Sequence, residues 1–188
     1  MTLLPMSMLA QDTEGTFKRY VLVGNFHIQF ELDKDYLTAT MLECFADQEN
    51  SEDRELVIPS TVTVADDDQP ALGDPVEIRT YKVTKINDKA FMGNNDLTTV
   101  TLGDNVEVIG ECAFRSCHSI TSVTLGSRVW SIGNEAFAYC TSLATVNMNN
   151  MLRSIGTHAF IGCSSLPAFN FPSTVTTIGS KKKTVNRN

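Results

Sequence analysis

Three cysteines, Cys117, Cys140 and Cys163, follow one another at intervals of 23 residues. Thiols so placed could bond to one another, hold a metal or attack a substrate. If each interval is one coil of a repeating backbone, neighbouring Cα atoms stand about 5 Å apart, which meets disulfide geometry on distance alone. The same spacing suits small thiols buried under a turn, where free cysteine is commonly found, and buried thiols are the expectation. A metal site asks for close ligand pairs such as Cys-x2-Cys. Cys112 with Cys117 and His118 comes nearest to one, and no metal is expected there. Cys44 and Cys112 have no periodic partner. The cysteine total of 5 is odd, so an exported chain would keep a free or intermolecular thiol.

The histidines His27, His118 and His158 occupy unrelated positions. No Ser-His-Asp, Cys-His or paired-carboxylate arrangement emerges, so no catalytic residue and no cofactor are expected. Asp66-Asp67-Asp68 offers carboxylates to Ca²⁺ in principle, but a solvated loop is the expectation. Trp130 is the single tryptophan of the chain and has Arg128 and Arg153 nearby in the pattern. It reads two ways: as a contact anchor, since Trp and Arg are enriched at binding hot spots, or as a ring covered by Arg153 in ordinary surface packing. Tyr139 is a weaker case of the same kind.

These residues belong to a longer pattern that must position them. Aligned on Ala-Phe pairs at 90–91, 113–114, 136–137 and 159–160, four copies of a 23-residue unit run from Val83, and a fifth begins at Val175. Such a period predicts a solenoid. Seven columns stay apolar: those of Val83, Ile86, Ala90, Phe91, Leu97, Val100 and Leu102. They are expected to point inward. Their burial in one unit cannot offset the ordering of its backbone, so a lone copy does not fold and stacked copies do. Asn87, Gly110, Gly133, Gly156 and Gly179 form a column that predicts a positive-φ turn. The Ala-Phe segment is long enough for one short helical turn. Leu-x-x-Val-x-Leu predicts a strand, and successive strands are expected to pair in parallel. Between its apolar columns stand Thr99, Ser122, Thr145 and Ala168, beside Thr101, Thr124, Asn147 and Asn170. They predict an outward face that is small, polar and uncharged.

The first 82 residues differ from the rest. They carry 6 basic and 16 acidic residues, a net of −10, against +3 for residues 83–188. An acidic chain with no basic stripe argues against a nucleic-acid or anionic-membrane partner, and no apolar run is long enough to span a bilayer. Residues 1–10 resemble the end of a secretory signal cut after Ala10, although a basic start is missing; an unstructured apolar terminus is the alternative. Alternation from Phe26 to Leu32, the turn Asp33-Lys34-Asp35 and a return strand from Tyr36 to Leu42 predict a hairpin. Glu55 to Ile58 predicts a strand stopped by Pro59, Val76 to Val83 another, and the acidic stretches between them loops. An array exposes apolar cross-sections at its ends, so residues 11–82 are expected to form a β-rich N-terminal cap, 83–180 the repeats, and 181–188 a basic disordered tail. The fifth copy gives way to Lys182-Lys183 where its Ala-Phe is due, as in a shortened piece of a longer protein.

The pattern Leu-x-x-Val-x-Leu, then Val-x-x-Ile-Gly-x-x-Ala-Phe-x-x-Cys-x-Ser-Leu, resembles the BspA-like, or treponemal-type, leucine-rich repeats. Asn94 in place of the first cysteine is a departure. The resemblance implies an α/β-type repeat solenoid, a right-handed superhelix with parallel strands on one face and short helical or irregular turns on the other. It also implies a secreted or cell-surface, adhesin-like protein that binds a protein ligand without catalysis. The candidate surface is Thr99, Thr101, Ser122, Thr124, Thr145, Asn147 and Asn170, with Trp130, Arg153 and Tyr139. A carbohydrate module using Trp130 and Tyr139 is the alternative.

Overall fold

The computed structural model describes residues 16–23, 26–46, 55–65, 78–167 and 171–179. The signal-like residues 1–10, Asp66-Asp67-Asp68 and the basic tail 181–188 lie outside them.

The chain opens with β1 (Thr16–Val23), β2 (Phe26–Asp33) and β3 (Thr38–Ala46), consecutive antiparallel neighbours. Phe26, Ile28, Phe30 and Leu32 are buried and the residues between them are not, as their alternation predicts. The return strand starts at Thr38 rather than Tyr36. Asp33 Oδ1 accepts the N–H groups of Asp35 and Tyr36 at 3.0 Å each, and Leu37 has a φ of 51°. That turn holds Tyr36 and Leu37 out of the sheet. Then come β4 (Glu55–Ile58), β5 (Thr61–Ala65) and β6 (Ile78–Ile86). The strands β1 and β5 were not expected from the pattern.

The repeats follow as alternating strands: β7 (Thr99–Leu102), β8 (Val108–Ile109), β9 (Ser122–Thr124), β10 (Ser131–Ile132), β11 (Thr145–Asn147), β12 (Ser154–Ile155) and β13 (Thr177–Ile178). They build two parallel ladders where one was expected. The first runs β4-β7-β9-β11 and comes from the Leu-x-x-Val-x-Leu segments. The second runs β6-β8-β10-β12-β13 through the Ile column, and β1-β2-β3 extends it beyond β6. These three strands are therefore continuous with the array. Leu56 pairs with Val100 and Ile58 with Leu102, so β4 stands where an earlier copy's strand would stand.

Between the ladders lies a core of stacked identical positions. The rings of Phe91, Phe114, Phe137 and Phe160 stack with centroids 4.7, 5.1 and 5.4 Å apart and planes within 7°. Ile86, Ile109, Ile132 and Ile155 are buried beside them. Toward the C-terminal end the burial thins: Val146, Met148, Leu166, Phe171 and Val175 are only partly covered.

Two expectations need correction. The Ala-Phe segment is not helical, and no helix occurs among the described residues. Two left-handed columns interrupt it: Lys89, Cys112, Glu135 and His158, then Gly93, Ser116, Tyr139 and Gly162. Its N–H groups alternate in direction. Met92 donates within its own turn to Lys89 O (3.1 Å), while Phe91 donates to Ala113 O of the next copy (2.7 Å). A helix would keep both bonds within the copy; here half of them join copies.

The glycine column Gly110, Gly133, Gly156 and Gly179 does not take positive φ. It is there because backbones touch. A Cβ on Gly133 would lie 2.6 Å from the carbonyl carbon of Gly110 and 2.7 Å from the nitrogen of Glu111. Asn87 fills this position in the first copy, where the neighbour is β3: its N–H donates to Met41 O at 2.8 Å.

Candidate functional site

The polar face is built by the first ladder. Inward Val100 and Val123 are buried, and the residues flanking them turn out. Parallel register aligns Thr99, Ser122 and Thr145 in one column and Thr101, Thr124 and Asn147 in the other. The outward residues of β7 and β9 are half-buried, and Thr145 and Asn147 are exposed. Asn147 Nδ2 donates to Thr124 Oγ1 at 3.1 Å, which ties the second column together. Thr99 contributes less than its type suggests, because its Oγ1 is enclosed without a hydrogen-bond partner. Ala168 and Asn170 lie outside the described residues.

At its N-terminal border the strip gains two residues that the repeat pattern does not announce. Register places Glu55 beside Thr99 and Val57 beside Thr101, and both are exposed. The signal was the alternation of Glu55-Leu56-Val57-Ile58, which matches the repeat strand without sharing its residues. A carboxylate and a bare valine thus open an otherwise uncharged strip.

The aromatic candidates do not join it. Trp130 stands just before β10, at the second ladder, and is 44% exposed. Its N–H donates to Glu107 O (3.0 Å) and its carbonyl accepts from Arg153 N–H (2.9 Å). No cation–π contact between Arg153 and Trp130 forms among the described residues, so the ring is not covered in that way. Tyr139 lies in the Ala-Phe turn with a φ of 61°. Arg115 of the preceding copy stands 5.6 Å from its ring centre and bonds Glu135 Oε2 at 2.6 Å. A Cβ on Gly162 of the next copy would meet the ring at 2.6 Å. Tyr139 is packed between copies, so its ring closes a seam more than it offers a contact.

The thiols of Cys117, Cys140 and Cys163 are free and buried. They donate to the carbonyls of Phe91, Phe114 and Phe137, each at 3.0 Å. Each bond reaches back to the copy before. Asn94 takes this position in the first copy, which no Ala-Phe unit precedes. Burial pushes Cys117 up to about 12 and Cys163 up to about 11, so they are poor nucleophiles at neutral pH. Cys112 is also a buried free thiol; the side chain of Cys44 lies outside the described part. No cluster of three or more His, Cys, Asp or Glu fit for a metal occurs among the described residues. Among the described residues, no helix is long and apolar enough to cross a membrane. The arrangement can present a rigid, mostly uncharged surface; the described residues bring no nucleophile and base together.

Residues 76–182 match the family model described as BspA type leucine rich repeat region, in six copies. Among curated proteins, none matches the chain. Among solved structures, the Treponema pallidum leucine rich repeat protein TpLRR is similar at 27% identity with a TM-score of 0.65, covering 81% of this chain and 62% of its own. The pneumococcal vaccine antigen PcpA shares the fold at 18% identity and a TM-score of 0.53, covering 92% of this chain and 46% of its own. The chain thus spans less than two thirds of the length of either.

Proposed function

The chain belongs to the BspA-type leucine-rich-repeat family, and from that premise we propose that it is a non-enzymatic, exported or surface-held protein that binds a protein ligand across the first ladder. Residues 11–82 serve as the cap and 83–180 as the binding array. The observation that carries this reading is the pair of outward columns in unbroken parallel register. The inward residues account for stability, and the strip is left over. Binding on such a face sums many modest contacts and costs little ordering, because the backbone is already fixed. Surface display and an adhesive role rest on the family and on the signal-like residues 1–10.

The test sets immobilised host and microbial proteins against a glycan array. Thr101→Arg with Thr124→Arg should cut protein capture by about tenfold or more while leaving the thermal midpoint near wild type, since both side chains are half-buried on the outward side of the ladder and a long Arg stem can turn to solvent. Glycan binding that ignores these changes and is lost in Trp130→Ala would go against the proposal.

A further inference from the structure

At the turn between the two ladders, successive copies place four exposed side chains together. Arg128 and Trp130 come from one copy, and Met151 and Arg153 from the equivalent positions of the next. The pairing of Ser131 with Ser154 and the bond from Arg153 N–H to the Trp130 carbonyl align Trp130 with Arg153 and Arg128 with Met151. Trp130 is 44% and Met151 47% exposed. Neither arginine makes an ion pair or a cation–π contact among the described residues. By contrast Arg115, in the neighbouring turn, is bound to Glu135 and stacked on Tyr139.

We propose that this corner binds an acidic segment of a partner protein. One large apolar side chain would rest on Trp130 and Met151, and flanking carboxylates would meet Arg128 and Arg153. This assignment rests on the protein-binding reading above but lies outside the polar strip. The chemistry follows from the arrangement: two cations sit at opposite corners of an apolar pair, and guanidinium groups pair with carboxylates in fork geometry. The wider charge is consistent with it. Residues 1–82 carry −10 and residues 83–188 carry +3, so an acidic ligand is repelled by the N-terminal part and drawn toward the repeats that hold this patch. Glu107, one copy back in the Trp130 column, sets the limit on the N-terminal side.

Trp130 is the single tryptophan, so its emission reports the site directly. The whole chain is titrated with three synthetic peptides: one alternating Glu and Asp with Leu and Phe, one with Lys replacing the acids, and one with Ser replacing them. The acidic peptide should shift the emission and bind at least about tenfold more tightly than the others, with an advantage that shrinks as salt rises. Arg128→Gln with Arg153→Gln should remove that advantage, and both positions are exposed, so the fold is kept and is checked by its melting curve. Equal affinity for the three peptides overturns the proposal. So does acidic binding, read by peptide anisotropy, that the double variant leaves unchanged. That second result would leave the protein-binding reading standing, whereas binding to glycans with no binding to any peptide or protein would remove both. A concentration-dependent dimer that the double variant abolishes would assign the corner to a second copy instead, and would also overturn it.

Discussion

The Cys117 thiol shows how one atom can serve the stack twice. It fills space, and it satisfies the Phe91 carbonyl of the copy before it. A thiol that ionises near 9.0 when exposed is held up to about 12 here by burial, and Cys163 up to about 11. The sign follows by linkage. The unfolded chain releases these protons near pH 9 while the folded chain keeps them, so their stabilising contribution is intact below that pH and is lost as pH rises toward 12. The urea midpoint should therefore fall between about pH 8 and about pH 10.5, and fall less when Cys117, Cys140 and Cys163 are all alanine. An identical fall in the alanine variant would place the effect elsewhere. Phe137 makes a second case at this scale. It is fully buried between the rings of Phe114 and Phe160. Phe137→Ala should cost about 3–5 kcal/mol in denaturant unfolding, and an unchanged midpoint would remove it from the core.

Elements were legible in the sequence to the extent that they recur or alternate. The period announced the inward columns, and the hairpin β2-β3 showed in the alternation from Phe26 to Leu32. The strand β1 did not show, because Tyr20, Val21, Leu22 and Val23 run on without alternation, and Tyr20 and Leu22 stay exposed. The second ladder was hidden because its strands in the repeats are two residues long, too short for any pattern. The glycine column was visible but its cause was not: a missing side chain looks the same whether it frees a dihedral or vacates space. Two substitutions separate these causes. Gly133→Ala drives a Cβ into the fixed backbone of Gly110 and Glu111, and should cost about 1–3 kcal/mol as overpacking. Gly93→Ala meets nothing within 4 Å but sits at a φ of +76°, and should cost about 1–2 kcal/mol through strain alone. Crystal structures of the variants should show the first displacing the neighbouring copy and the second leaving it in place.

Across the whole molecule, stability should be graded, since each copy rests only on its neighbours. The N-terminal end is closed by β3, β4 and β6, and the last described copy keeps Leu166, Phe171 and Val175 only partly covered. Amide exchange should be slowest from Ile86 to Ile132 and fastest beyond Ile155, with intermediate rates between. Uniform protection would mean that the array opens as one unit. The candidate surface was legible as a strip of small polar residues. Its border at Glu55 and Val57, and the separation of Tyr139 from it, depend on register and on inter-copy packing, which no single stretch of sequence carries. The alternating bonds of the Ala-Phe turns have an electrical consequence. Nine peptide N–H groups, those of Lys89, Phe91, Gly93, Cys112, Phe114, Ser116, Glu135, Phe137 and Tyr139, all donate toward the following copy. Their dipoles add along the stack as those of a helix add along its axis, although no helix is present. That side of the solenoid is polarised, with its positive pole toward the C-terminal end.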